Sequence, residues 1–513
     1  MPALTVLVSL VGAVLIVAFG ARPNLREGWT ILTSFVKFGL VLAMLPAVLD
    51  GRYAETVLLE ISPGIELALR ADATGFFFAL LASGLWILTS FYSIGYMRRV
   101  PGPCSPSDLR LGQTGYPMNG QTRYFASFAV SLSATMGIAF AANLLTMVIF
   151  YELLTLATYP LVVHKQTAEA IAAGRKYLVY ALSGGLALLA AIGWTYAVSG
   201  SVDFVPGGFL EGRIAGREAM LLFALFVAGA GVKSAIMPLH SWLPAAMVAP
   251  TPVSALLHAV AVVKAGVFAF VRIVGFVFGP DLLQDIGAWD WLAALAGFTF
   301  LFASLLAFKQ DNLKRRLAYS TIGHLSYVIL GVALLTPSAF AGGVLHIANH
   351  AAMKITLFFC AGAIYVHTHK QTVGSLNGLG RRMPITFGAF ALASVGLAGL
   401  PPVGGFVSKW LLGLGAVEAG RPVYLLLLLL SGLLNAGYLM PIVWRGFLLR
   451  GEDGDRSWRF DEASPWMVVP LALTALFALY LGLQPNGLID FYDLAATIAE
   501  GVLGTESLAS GGG

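Results

Sequence analysis

Charge is what this sequence has least of. Only 11% of its 513 residues are Asp, Glu, Lys or Arg, about half the share found in soluble domains. No stretch has the charge or length of a separate soluble domain, which excludes a globular enzyme. Cysteine is scarce as well: Cys104 and Cys360 give no disulfide framework, no CxxC and no iron–sulfur pattern. There is no GxxxxGK[ST] loop and no GxGxxG leading into a soluble βαβ unit, so nothing in the chain binds a nucleotide, and no cofactor is expected. The opening MPALTVLVSLVGAVLIVAFGARPN lacks a basic segment ahead of its apolar run. It reads as an uncleaved membrane span rather than a signal peptide.

Long apolar runs are abundant. Hydrophobic residues make up 58% of the chain and the mean hydropathy is +0.82. Runs of about 20 apolar residues give fourteen spans, near residues 2–20, 29–49, 72–96, 122–142, 144–163, 174–199, 219–247, 252–278, 289–308, 315–335, 338–366, 384–416, 422–447 and 465–483. The expected class is therefore an all-α polytopic membrane protein. Basic residues test the count: twenty fall in the odd-numbered loops and five in the even ones. By the positive-inside rule the odd loops face the cytoplasm and both termini lie outside. The same asymmetry accounts for the basic pI near 9.1 without nucleic acid.

Six basic residues remain. Lys37 and Arg272 lie in or at the ends of spans 2 and 8, where long side chains can snorkel. Lys233, Lys264, Lys354 and Lys409 sit well inside spans, where each ionisable group costs about 2.5–3.5 kcal/mol or more to insert. Such residues must face protein or water and find partners. The clear mid-span carboxylate is Glu152, in LLTMVIFYELLTLATYPL, and we expect it to pair with Lys233 of AGAGVKSAIMPLHSWLP. The competing reading is an ion pair that only holds helices together, but such a pair would not call for three further lysines.

Span 7 is broken by Pro238 and Pro244, and span 12, LASVGLAGLPPVGGFVSKWLLG, by Pro401, Pro402, Gly404 and Gly405. Each break frees main-chain groups that must be satisfied by protein or cavity water. Broken spans five helices apart suggest repeats made of spans 4–8 and 9–13, and an odd number of helices inverts the second copy. Ordinary kinks are the plainer alternative. The domain expectation is residues 1–121 for three helices and a loop, 122–278 and 279–447 for the repeats, and 448–513 for span 14 with a short tail.

In VLHIANHAAMKITLF, His346, His350 and Lys354 recur every four residues, a stripe roughly 12 Å long on one helix face. With His258 and Lys264 on span 8 and His324 on span 10, they suit groups that pass protons through water, since histidine titrates near neutrality. HxxxH could hold a metal, but no carboxylate or cysteine stands nearby. Bis-histidine haem ligation needs a second matching pair. His258 taken alone could be a helix–helix hydrogen bond. His164, His367 and His369 lie at cytoplasmic ends and read as solvated. The titratable residues thus form a lateral axis from Glu152–Lys233 through Lys264 and the histidines to Lys409.

FYELLTLATYPLV, VKSAIMPLHSWLPAAMVAPTPVSALLHAVAVVKAGVF, DNLKRRLAYSTIGHLSYVILG, HIANHAAMKITLFFCAG and GLPPVGGFVSKW together resemble the antiporter-like subunits shared by respiratory complex I, membrane-bound hydrogenases and Mrp-type cation/proton antiporters. The resemblance covers roughly residues 70 to 450. It implies a fourteen-helix core with inverted five-helix repeats and a part in proton or cation translocation. By position, Glu152 and Lys233 match the family's carboxylate–lysine pair, Lys264 its bridging lysine and Lys409 its broken-helix terminal residue. His324, His346, His350 and Lys354 match the connecting polar residues. A lysine at 409 and the short tail look like the D-type subunit of Mrp antiporters, while the loop around 99–125 is longer than that type implies. The resemblance implies Na⁺/H⁺ antiport within a multisubunit complex of the bacterial inner membrane, with other membrane subunits as partners. The alternative is a proton-pumping subunit of a redox complex.

Overall fold

The computed structural model describes residues 1–62, 65–100, 120–451, 457–487 and 490–504. Helix starts follow local chemistry. Proline, whose missing N–H costs nothing in a first turn, opens α1 (Pro2–Ala18) and α2 (Pro23–Leu42). Asp72 caps α3 (Ala73–Met97) by accepting from Gly75 N. After α4 (Gly120–Ala139), Asn143 and Thr167 cap α5 (Leu144–Val162) and α6 (Ala168–Ser199) in the same way. α7 (Gly216–Ser234) ends at Ala235, whose φ of +55° is unusual for a residue with a Cβ.

A short turn at Trp242–Ala245 leads to α8 (Thr251–Ala259) and α9 (Val262–Ile273). α10 (Ala288–Phe308) and α11 (Leu313–Ala333) precede the 32-residue α12 (Pro337–Thr368). α13 (Pro384–Ala398) and α14 (Gly405–Glu418) flank the second break; α15 (Pro422–Leu448) and α16 (Pro465–Leu483) follow. Both Pro/Gly breaks contain a cis peptide bond, at Met237–Pro238 and at Pro401–Pro402.

Among the described residues nine helices are long and apolar enough to cross a membrane. The expected spans 7 and 12 are each divided at their breaks. Span 8 is divided too, between α8 and α9 at Val260 and Ala261. No proline or glycine marks that point.

α12 is the central helix: it packs against α8, α11, α13, α14 and α16, and its most apolar stretch is fully buried within the chain. α1, α2 and α15 lie outside, with Val14, Phe35 and Leu433 among their exposed side chains. Glycine permits one approach that fixes the site: a Cβ on Gly266 of α9 would overlap the Lys233–Ser234 peptide at the end of α7.

Several expectations need correction. The chain is not purely helical: β1 (Glu55–Ser62) and β2 (Ile65–Arg70) form an antiparallel hairpin pairing Glu55 with Arg70. The tail contains a further amphipathic helix, α17 (Phe491–Leu503), which packs on α3 and α12 through Phe491, Leu494 and Ile498. Cys104 and Arg110 in the long loop, Arg456, and the chain beyond 504 fall outside the described residues.

Lys37 and Arg272 do not snorkel; both are 0% exposed. Lys37 Nζ lies 4.3 Å from the centre of the Trp86 ring, with no hydrogen-bond partner among the described residues. Arg272 holds Asp72 through two hydrogen bonds of 2.6 and 2.7 Å and is ringed by Phe204, Phe268 and Phe276. It thereby ties the start of α3 to the end of α9.

Removing one partner of such a buried pair strands the other charge, at a cost of about 3–5 kcal/mol. Arg272→Met and Asp72→Asn are each expected to lower unfolding stability by about that much in mixed micelles. The double variant should lose less than the two singles added together.

Candidate functional site

The Glu152–Lys233 pair forms where α5, α6 and α7 meet. Lys233 is 0% exposed. Its Nζ lies 3.9 Å from Glu152 Oε1, donates to the Tyr151 carbonyl and sits 3.2 Å from the centre of the Tyr151 ring. The Glu152 side chain is 23% exposed, and neither of its oxygens has a hydrogen-bond partner among the described residues. Space for it comes from Gly185 of α6, where a Cβ would collide with the carboxylate. The ammonium is thus held by a main-chain acceptor and an aromatic face, while the carboxylate is held only by the charge opposite.

Across the α7–α9 contact the arrangement changes to direct side-chain bonds. Lys264 Nζ and His350 Nδ1 are 2.8 Å apart. His324 stacks between His350 and His346, with ring centres 5.2 and 5.3 Å away. His324 Nδ1 lies 3.1 Å from His346 Nε2, and His346 Nδ1 lies 2.8 Å from Ser408 Oγ. The Asn435 amide nitrogen approaches His324 Nε2 at 3.2 Å. Since an amide N–H can only donate, His324 Nε2 accepts. This assigns the proton of neutral His324 to Nδ1, donating to His346, and the proton of His346 to Nδ1, donating to Ser408.

The sequence stripe therefore fans out to different partners. His350 reaches Lys264, and His346 reaches His324 and Ser408. Lys354 donates to Ser320 Oγ at 2.8 Å and to the Leu317 carbonyl at 3.3 Å. Ser320 Oγ is also 2.8 Å from the Tyr438 hydroxyl, which lies 2.5 Å from Asn435 Oδ1. Asn435 then meets the Leu397 carbonyl at 3.3 Å, and the same carbonyl accepts from Lys409 Nζ at 2.8 Å. Leu397 and Ala398, both acceptors for Lys409, close α13 at the second break, where the helix frees its last carbonyls. Trp242 Nε1 serves the first break, donating to the Val232 carbonyl at 2.8 Å.

All eight residues expected from the sequence lie in these two clusters. Among the described residues no side-chain hydrogen bond joins Lys233 to Lys264. Sequence reading missed Asn435, Ser408, Ser320, Tyr327 and Tyr438. Asn435 in an apolar run was the one with a signal, being the amide inside LLLLLLSGLLNAGYLM.

His258 lies beside the cluster against Phe358, ring centres 4.8 Å apart, with neither nitrogen partnered among the described residues. His164 is not solvated: it is 3% exposed, and burial, with Arg123 and Lys165 nearby, pulls it down to about 4. His367 is partly exposed and pairs with Asp461 at 2.9 Å. The bonds from Arg382 and His367 hold that carboxyl below its usual range.

Residues 141–434 match the family described as NADH:quinone oxidoreductase/Mrp antiporter, TM. The chain is 34% identical over 428 residues to NADH-quinone oxidoreductase subunit N of Desulforudis audaxviator, covering 80% of this chain and 82% of that protein. It is 31% identical to a component of a probable K(+)/H(+) antiporter of Rhizobium meliloti, covering 82% of this chain but only 40% of that longer protein. In three dimensions it is similar to a chain of the Mrp complex from Dietzia sp. DQ12-45-1b, with a TM-score of 0.83, 20% identity, and coverage of 98% and 97%.

The amide of Asn435 joins three elements, so replacing it leaves buried acceptors and a donor unmet. Asn435→Leu is expected to cost about 1–3 kcal/mol in mixed-micelle unfolding, whereas Ser431→Ala, which removes one of the polar groups facing the Tyr327 hydroxyl, should cost less.

Proposed function

Because the chain belongs to the family of membrane proteins shared by NADH:quinone oxidoreductases and Mrp antiporters, we propose that it relays protons sideways within the membrane. The relay would run from Glu152–Lys233 to Lys409, in exchange for a monovalent cation, Na⁺ in the first instance, as the D-type member of a multisubunit antiporter. The observation that carries this reading is the line of polar side chains from Lys264 through His350, His324 and Asn435 to the half-buried Lys409.

An opposite charge within about 4–6 Å favours the charged form of a lysine. While Glu152 sits beside Gly185 and faces Lys233, the ammonium keeps its proton; when the carboxylate swings out of that space and away from the lysine, Lys233 releases it. The proton crosses to Lys264 through water, since no side chain bridges that interval among the described residues. Lys264 and His350 then share one proton across 2.8 Å, and the histidines deliver it to the Asn435 junction and Lys409. In this reading the repeats are residues 122–278 and 279–447, fourteen spans leave both termini outside, and the protein lies in the bacterial inner membrane with other membrane subunits around it. Two broken helices, each with a lysine near its break, support that assignment.

A second reading has a specific support of its own. The 34% identity to the Desulforudis oxidoreductase protein extends over 82% of its length, which favours a proton-pumping role driven by electron transfer in other subunits. Gentle solubilisation and identification of the co-purifying chains separates the two. Partners without cysteine-rich clusters fit the antiporter; iron–sulfur or flavin subunits fit the pump and would displace the Na⁺ proposal.

In vesicles, Glu152→Ala and Lys233→Ala should abolish Na⁺-driven pH change while leaving the protein inserted, and normal exchange by either would sink the relay. His346→Ala and Lys354→Ala should slow it. Gly185→Val, which fills the carboxylate's space, is expected to reduce exchange about tenfold or more. Gly193→Ala on the same helix, where a Cβ would meet open space, should not.

A further inference from the structure

Away from the relay, four cationic side chains from three separate segments line one cleft of about 380 Å³. Lys165 comes from the α5–α6 connection, Lys314 and Arg315 from the first turn of α11, and Lys370 from the segment after α12. The only carboxylate lining it among the described residues is Glu169, which is already engaged by Arg315 at 3.6 Å. Lys314 turns inward, donating to the Ala249 carbonyl just ahead of α8 at 2.5 Å. Tyr96 and Thr251 add hydroxyls to the wall.

We propose that this cleft binds a phosphate-bearing anion. Basic residues that serve only topology point away from one another into water or headgroups, because gathering like charges is unfavourable. Here they converge on a concavity whose volume lies within the range of small-ligand pockets, about 300–1,000 Å³. A guanidinium fork and several ammonium groups match the tetrahedral acceptors of phosphate. The amino ends of α6, α8 and α11 border the same space, so their partial positive charges add to the field.

The anion is either a free phosphate compound or the headgroup of an anionic lipid. Its presence has a direct mechanical partner. Lys314 holds the carbonyl just ahead of α8, and α8 carries His258 to the break before Lys264. An anion that draws Lys314 off Ala249 loosens that start, so the cleft is a place where phosphate controls the relay helices. The same positive charge repels Na⁺, so the cation does not enter here.

The test uses the intact complex in neutral detergent and in phosphatidylcholine nanodiscs with or without phosphatidylglycerol. The probe is inorganic phosphate or pyrophosphate, followed by calorimetry; bound lipid is followed by mass spectrometry. Saturable phosphate or pyrophosphate binding in detergent identifies a soluble anion. Selective retention of phosphatidylglycerol, without phosphate binding, identifies a headgroup. In either case Arg315→Gln and Lys165→Gln should weaken binding about tenfold or more, while Lys176→Gln, on the same face but outside the cleft, should not. Lys165→Gln guards against misfolding of the Lys314 contact, since Lys165 is exposed. Binding of neither probe overturns the proposal, as does an equal loss in Lys176→Gln and Arg315→Gln, which would mean diffuse surface charge.

Discussion

An ammonium group in an apolar interior needs an acceptor, and this chain places almost no carboxylates beside its interior lysines. Lys233, Lys264 and Lys354 are completely buried, and among the described residues only Glu152 stands opposite one of them. The rest of the site follows from how the shortage is met. Main-chain carbonyls take over: Tyr151 for Lys233, Leu317 for Lys354, and Leu397 with Ala398 for Lys409. A continuous helix has few carbonyls to spare, so the second break creates the acceptors its own lysine uses. Lys264 instead leans on a neutral imidazole nitrogen. Neutral acceptors do not pin a proton as a carboxylate would, so Lys264, Lys354 and Lys409 meet partners unlike the one Lys233 faces.

Much of this could be read from the chain, and the reasons are physical. A lysine or histidine in an apolar run is too expensive to be incidental, so Lys233, Lys264, Lys354, Lys409 and the three central histidines stood out. Proline and glycine announced two of the breaks. The third, at Val260 and Ala261, had no such marker. Ser320, Ser408, Tyr327 and Tyr438 were invisible for the opposite reason: serines commonly bond back to the preceding turn and tyrosines commonly fill apolar runs, and nothing in the sequence tells those that bridge helices from those that do not. Asp72 and Arg272 are 200 residues apart. Their union needs the folded chain, and it overrides the habit of arginine to reach for the membrane edge.

The scaffold divides labour in a way that suits a line of exchangeable hydrogen bonds. α12 is long, unbroken and central, so it holds His346, His350 and Lys354 in fixed spacing. Interrupted helices bear on it: α8–α9 and α13–α14 bring Lys264 and Lys409 to that fixed rail, while α7 brings Lys233 up against α9. Asn435 on α15 is the clamp between the rail and the last lysine, touching His324, Tyr327, Tyr438 and the Leu397 carbonyl at once. Motion at the breaks beside α12 alters a contact with it without altering α12 itself.

The orientation of the imidazoles carries a last consequence. His324 and His346 point their protons the same way, toward Ser408, because Asn435 occupies the far nitrogen of His324. A proton bound for the Asn435 junction needs the reverse polarity, with each ring's hydrogen on its opposite nitrogen and the Asn435 amide turned to accept. The rings and the amide must therefore turn over before such a passage, and stacking among three imidazoles opposes that turn. The file behaves as a latch that has to be reset for each proton it delivers.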